Sequence, residues 1–195
     1  MKQIEVIYRE ILYKAIEEKN KTLTQSELSK NLNVSLSTVN HALKPLKNMG
    51  AIKIDLRNFK ILDVKKILYY WASVRNLNKD IIYSTRVEMP ISKIESNMPN
   101  NIVFAAYSAY KFKFKDVLAD YSEVYVYGNR EDIKKRFPEN INKPNLFVLK
   151  LDDNIEKYGK TTSIGNTFAD LWNLREWYAK EFLKAFEVKI ERLLE

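Results

Sequence analysis

The sequence predicts an α+β chain in two parts: three short amphipathic helices closed by a β-hairpin, then a small unit mixing strands and helices. Three observations carry this expectation. Apolar residues recur at three- and four-residue steps as far as Gly50, the spacing of buried helix faces. The period then falls to two over residues 52–62, as in a half-buried hairpin. Beyond residue 79, short β-rich runs alternate with helical ones, the order of a small mixed α/β domain.

Composition bounds what such a chain can do. Of 195 residues, 46% are hydrophobic, enough for folded cores and too many for a disordered chain. The absence of cysteine excludes disulfide frameworks and cysteine-ligated zinc or iron–sulfur sites, and suits a reducing compartment. The single histidine, His41, argues against a histidine-rich metal centre or a His-based triad, so neither metal nor cofactor is expected. No apolar signal core opens the chain and no window approaches a membrane-spanning run, which makes a cytoplasmic protein the expectation.

Taken in order, Ile4, Ile7, Tyr8, Ile11, Leu12, Ala15 and Ile16 form the stripe of a first helix, with Lys2, Glu10, Lys14, Glu17 and Glu18 facing water. A loop follows over residues 20–23. Thr24-Gln25-Ser26-Glu27 has the form of a capping box, so a second helix should run over 25–32 and bury Leu28 and Leu32. A third helix is expected from about residue 36. Val39, Leu43, Leu46 and Met49 share its buried face, Ser35 or Ser37 is its N-cap, and Gly50 is its stop signal. Its other face carries Ser37, Thr38, Asn40, His41, Lys44 and Lys47, short hydrogen-bonding groups and cations of the kinds that reach base edges and phosphates. Pro45 lacks an N–H and should bend this helix or reset its last turn, concentrating contacts N-terminal to it.

After Gly50, Ile52, Ile54 and Leu56 alternate with Lys53, Asp55 and Arg57, and the return run is Phe59-Lys60-Ile61-Leu62 around a tip at Arg57-Asn58. Arg57, Asn58 and Lys60 are thereby candidates for contact with phosphate or the minor groove. The segment "LNVSLSTVNHALKPLKNMGAIKI", residues 32–54, resembles the recognition helix and wing of winged helix-turn-helix transcription regulators. The resemblance implies major-groove reading of double-stranded DNA by the third helix. Charge agrees with it: residues 1–79 hold 15 Lys and Arg against 7 Asp and Glu, whereas residues 80–195 hold 18 of each. The whole positive excess, +8, therefore lies in the part that holds the motif, where cations can displace counterions from phosphates.

Residues 63–77 return to helical spacing through Val64, Ile67, Leu68, Trp71, Val74 or Arg75, and Leu77. This helix either packs the two parts together or pairs with a copy of itself, and packing is preferred because a self-pairing helix would show more than two heptads. In the second part, strands are expected at 81–87, 123–128 and 146–151. Helices are expected at 91–97, 100–110, 131–137 and 167–194. "FAAYSAYKFKF", "EVYVYG", "LFVLKL" and "SIGNTFADLWNLREWYAKEFLKAF" resemble, in order, the C-terminal domain of AbiEi-type antitoxins. That resemblance implies an autorepressor whose second domain accommodates a nucleotidyltransferase toxin, and it carries no site residue across.

Enzymatic signatures are incomplete. A nucleotidyltransferase needs a Gly-Ser turn and two carboxylates alternating on one strand to hold metal ions. Ala106-Tyr107-Ser108 lacks the glycine, and Glu123-Val124-Tyr125 has tyrosine at the second acid. A nuclease needs Glu-x-Lys on a strand, but Glu187-Val188-Lys189 falls in the last helix, which splits the side chains across faces. Asp152-Asp153 reads as a solvated turn. Lys111, Lys113 and Lys115 read as protection of a sheet edge. Tyr107, Tyr110, Tyr125, Tyr127, Trp172, Trp177 and Tyr178 read as core in preference to a pocket.

The expectation is thus a non-enzymatic DNA-binding regulator. Residues 1–62 form the winged helix, 63–78 a connecting helix, and 79–195 an α/β regulatory or partner-binding domain. A homodimer on an inverted repeat is expected, since one winged helix buries little surface. The alternatives are an enzyme targeted by a winged helix, and a protein-interaction module.

Overall fold

The computed structural model describes residues 1–195. Its first part comprises α1 (Gln3–Ile16), β1 (Thr22–Leu23), α2 (Gln25–Leu32), α3 (Leu36–Asn48), β2 (Ile52–Ile54) and β3 (Phe59–Ile61). Local chemistry accounts for the boundaries. The Thr24 hydroxyl accepts the Glu27 N–H at 3.1 Å and starts α2; the reciprocal bond expected of a capping box is not formed. Asn33 closes α2 in the left-handed conformation that asparagine tolerates. Ser35, not Ser37, caps α3, its Oγ accepting the Thr38 N–H at 3.0 Å. At the far end Gly50 takes φ +70°, and two bonds, Gly50 N–H to Lys47 O at 3.0 Å and Ala51 N–H to Leu46 O at 2.9 Å, form a Schellman stop.

Helix α3 runs through Pro45 to Asn48; the cost of the proline falls on the His41 carbonyl, which loses the N–H that Pro45 lacks. The strands depart from expectation. The 20–23 loop contains β1, which pairs with β3 and makes the hairpin a three-stranded sheet, β1-β3-β2. Pairing of β2 with β3 stops at Ile54 opposite Phe59, so the hairpin tip is 55–58, closed by an Asp55 N–H bond to Asn58 O at 2.8 Å.

Helix α4 (Val64–Val74) is capped by Asp63 and ends where Arg75 turns extended and inward. A 3-10 turn (Leu77–Asp80) leads to β4 (Ile81–Thr85), α5 (Ile91–Ser96), β5 (Val103–Ala105), α6 (Ala106–Phe114), β6 (Val124–Tyr127), α7 (Arg130–Arg136) and β7 (Leu146–Leu149). A second 3-10 turn (Ile155–Tyr158), α8 (Ile164–Trp172) and α9 (Trp177–Leu194) complete the chain. The sheet order is β4-β7-β6-β5, with β6 parallel to β7 and both outer pairs antiparallel. The helix expected over 100–110 begins instead as strand β5, and the one expected over 167–194 breaks at 173–176 into α8 and α9. Residues 111–115 close a helix and not a sheet edge: Lys111 reaches Glu95 at 2.6 Å and Lys113 reaches Glu17 at 2.8 Å.

One apolar cluster of 43 buried residues runs from the winged helix through α4 into α6, α8 and α9, and a second of 11 residues lies between the sheet and α5 and α7. Helix α1 is the axis of the larger cluster. Residues 5–12 are all buried, because one face packs on α3 and the other on α4 and α8. Glu10, expected in water, accepts Tyr158 Oη at 2.6 Å and pairs with Lys157 at 2.8 Å. Asp152 is likewise no solvated turn. Buried Arg9 grips it bidentately at 2.8 and 2.5 Å, and this pair holds its carboxyl below the usual range against the upward push of burial. The five tyrosines of the aromatic set are core, while Trp172 and Trp177 are exposed.

Candidate nucleic-acid interface

Helix α3 divides its residues cleanly. Val39, Ala42, Leu43 and Leu46 are buried against α1 and the sheet, which fixes the helix's rotation about its axis. Ser37, Asn40, His41, Lys44 and Lys47 are therefore forced outward and are all exposed. At about 100° per residue, the first four fall within an arc of roughly 100°, narrow enough to enter one groove together. These five residues and Ile54 of β2 line one shallow concavity, so the hairpin stands as one of its walls.

The remaining candidates are placed less uniformly. Thr38 is half-buried and its Oγ1 lies 2.8 Å from Ser35 Oγ, so its hydroxyl is engaged at the helix start. Arg57 is exposed at the hairpin tip, and Lys60 projects from β3 on the side away from buried Phe59 and Ile61. Asn58 is half-buried, its Oδ1 shielded and without a partner. Lys53 lies 3.7 Å from Asp55. Lys44, Lys47, Arg57 and Lys60 enter no ion pair, which leaves their charge available to phosphate.

Sequence reasoning placed the tip at Arg57-Asn58, two residues short of its full extent. Alternation carried past Ile54 placed Leu56 in the strand, whereas it is 98% exposed in the turn. Together with Arg57 and Leu36 it borders a second depression, whose other wall is Thr24, Gln25 and Ser26 at the start of α2. The end of strand pairing is set by the turn, and periodicity does not report it.

Residues 9–53 match the family model for winged helix-turn-helix DNA-binding domains. The N-terminal part is a winged helix DNA-binding domain. The matched span runs from the middle of α1 through α3 into β2, so the hairpin tip lies beyond it. No curated protein and no solved structure matches the chain, and the resemblance of the C-terminal half to AbiEi-type antitoxins has no support from these comparisons. No helix is long and apolar enough to cross a membrane.

Proposed function

We propose that the chain is a transcription regulator that reads duplex DNA through the exposed face of its winged helix α3. The observation that carries this reading is the convergence of Ser37, Asn40, His41 and Lys44 on one outward arc of a capped helix, inside a matched DNA-binding domain. Asn40 presents an amide able to bond an adenine edge bidentately, and Lys44 presents a cation for guanine or phosphate. Lys47, Arg57 and Lys60 add charge contacts, while Thr38 acts by fixing the helix start and Asn58 by shaping the tip. The two carboxylates considered for metal chemistry are engaged internally, Asp152 by Arg9 and Glu123 by the Tyr178 hydroxyl, which favours binding over catalysis. A homodimer on an inverted repeat, with half-sites about one helical turn apart, supplies the surface that one domain lacks.

The test is selection of bound duplexes followed by titration against salt. Wild type is expected to enrich a defined site and to lose affinity steeply as salt rises. Asn40→Ala should reduce discrimination among sequences, whereas Lys60→Ala should weaken all duplexes alike and lower the salt slope by about 1. Equal losses on every sequence for Asn40→Ala would remove it as a base reader. Absence of any shift with random duplex at low salt would favour a protein-interaction module instead. The C-terminal half is assigned regulation or partner contact; an antitoxin role would be supported by a stable complex with a nucleotidyltransferase encoded beside it.

A further inference from the structure

We propose that Leu56 is a wedge that enters the minor groove beside the reading helix and selects a deformable base step there. The inference rests on the DNA-reading function above and adds to it a specificity determinant that contacts no base edge.

Three observations lead to it. Leu56 is almost wholly exposed at 98%, an unusual position for leucine, in the turn at the tip of the wing. The tip that carries it is held in place: β2 and β3 pair through Ile54 and Phe59, the turn is closed at 2.8 Å, and β1 braces β3 from its other side. A preorganised tip loses little freedom on insertion. The tip also lies beside the reading surface. Ile54, two residues before Leu56, lines the concavity of α3, and Leu56 itself borders the depression next to Leu36 at the start of that helix. With α3 in the major groove, a tip so placed would meet a neighbouring minor groove.

The chemistry around Leu56 fits that groove better than it fits protein. Arg57 follows it directly and enters no ion pair, and the narrow minor groove of A·T-rich DNA attracts arginine. Asp55 precedes it, but Lys53 stands 3.7 Å away and offsets the carboxylate's repulsion from phosphate. Leu36 is the only other apolar residue bordering the depression, far short of the contiguous patch a protein interface requires. In a minor groove, the apolar surface that leucine can cover is the face of a base, exposed when a step partly unstacks. Pyrimidine–purine steps unstack most readily, so the wedge would convert DNA flexibility into sequence preference.

The experiment compares the full-length chain with its Leu56→Ala variant by duplex selection, bend measurement and 2-aminopurine fluorescence at the selected step. A side chain so exposed contributes nothing to the core, so the variant is expected to fold. Wild type should enrich a TA or CA/TG step about 5 base pairs from the centre of the α3 contacts, half a helical turn away, and should bend the duplex. Leu56→Ala should keep the α3-read bases, lose both the step preference and the bend, and bind about tenfold more weakly, about 1.4 kcal/mol. Leu56→Lys should bind all duplexes without restoring the step preference. Retention of the preference and the bend by Leu56→Ala overturns the wedge while leaving DNA reading intact. A lower solution mass of free Leu56→Ala overturns it in favour of contact with a second copy. Failure of wild type to bind any duplex overturns the DNA-reading function and the wedge with it.

Discussion

Arg75 shows how far a single residue can depart from its sequence context. Its position on the connecting helix's stripe looks interchangeable with Val74, yet Val74 is exposed and Arg75 is buried. There it donates to Glu5 at 3.0 Å, Asp80 at 2.6 Å, Asp170 at 3.0 Å and the Tyr127 hydroxyl at 3.0 Å. With the Met1 ammonium 3.0 Å from Asp80, two cations face three carboxylates. Burial therefore pushes Asp170 up to about 6, although the nearby Arg75 acts to lower it. Because the folded value exceeds the unfolded one of about 3.9, this group's contribution is present in full below about pH 4. It is lost as pH rises through about 6. Asp170→Asn is expected to flatten denaturation stability between pH 4.5 and 7, removing a slope worth up to about 2–3 kcal/mol; an unchanged slope would place the proton elsewhere. Gly165 is a second such residue. A Cβ there would meet Leu12 Cβ at 2.9 Å where α8 crosses α1, so Gly165→Ala should destabilise by about 1–3 kcal/mol. Equal denaturant midpoints for variant and wild type would show that the crossing can open at little cost. Neither residue announces its role in the sequence, because Arg75 meets Glu5 and Asp170, and Gly165 meets Leu12, only when distant parts of the chain fold together.

At the scale of elements, legibility followed how local the determining forces are. Helices α2 and α3 were readable to their ends because Thr24, Ser35 and Gly50 are caps that act within a few residues. The wing was readable as a hairpin, but β1 was not, since its two residues are strand only by pairing with β3. Strand β5 and the break between α8 and α9 were missed for the same reason: local apolar spacing suits a helix at both places, and sheet pairing and packing decide otherwise. Helix α1 gave the right span and the wrong environment. Glu10 reads as part of its water face until the C-terminal half supplies Tyr158 and Lys157 to meet it, and Glu5 and Arg9, which the apolar stripe leaves out, are buried by Arg75 and Asp152. Pro45 is the element-scale test of tolerance. Helix α3 continues to Asn48, beyond Pro45, although a proline inside a helix costs about 3 kcal/mol. Pro45→Ala is therefore expected to raise stability by about 1–3 kcal/mol with the reading face preserved. Thermal or denaturant unfolding checks this, and a variant no more stable than wild type would mean that the surrounding packing has already absorbed the cost.

For the whole molecule, the apolar core crosses the boundary between the DNA-binding part and the rest. Leu12 and Ile16 of α1, Ile67 and Trp71 of α4, and Phe168 and Leu171 of α8 belong to one cluster, and two buried ion pairs cross the same boundary, Arg9 of α1 with Asp152 after β7 and Arg75 after α4 with Asp170 of α8. Removing either half would expose apolar surface, at roughly 25 cal/mol per Å², and would strand charges that lack a partner in the remaining half. Breaking one such pair typically costs about 3–5 kcal/mol, a large fraction of a domain's stability of about 5–15 kcal/mol. The two halves should consequently unfold together. Far-UV circular dichroism, tryptophan fluorescence, to which Trp71 in the shared core and exposed Trp177 both contribute, and loss of duplex binding are expected to give coincident transitions. Asp152→Ala, which leaves Arg9 buried and unpaired, should shift all three to lower denaturant together by about 3–5 kcal/mol. Separate midpoints, with DNA binding outlasting the C-terminal signal, would show that the winged helix is an autonomous domain. Coincidence has a consequence for regulation. If the C-terminal half receives a signal, that signal would then act on the chain as one body, since the shared core joins it to α3 without a separate unfolding unit between them.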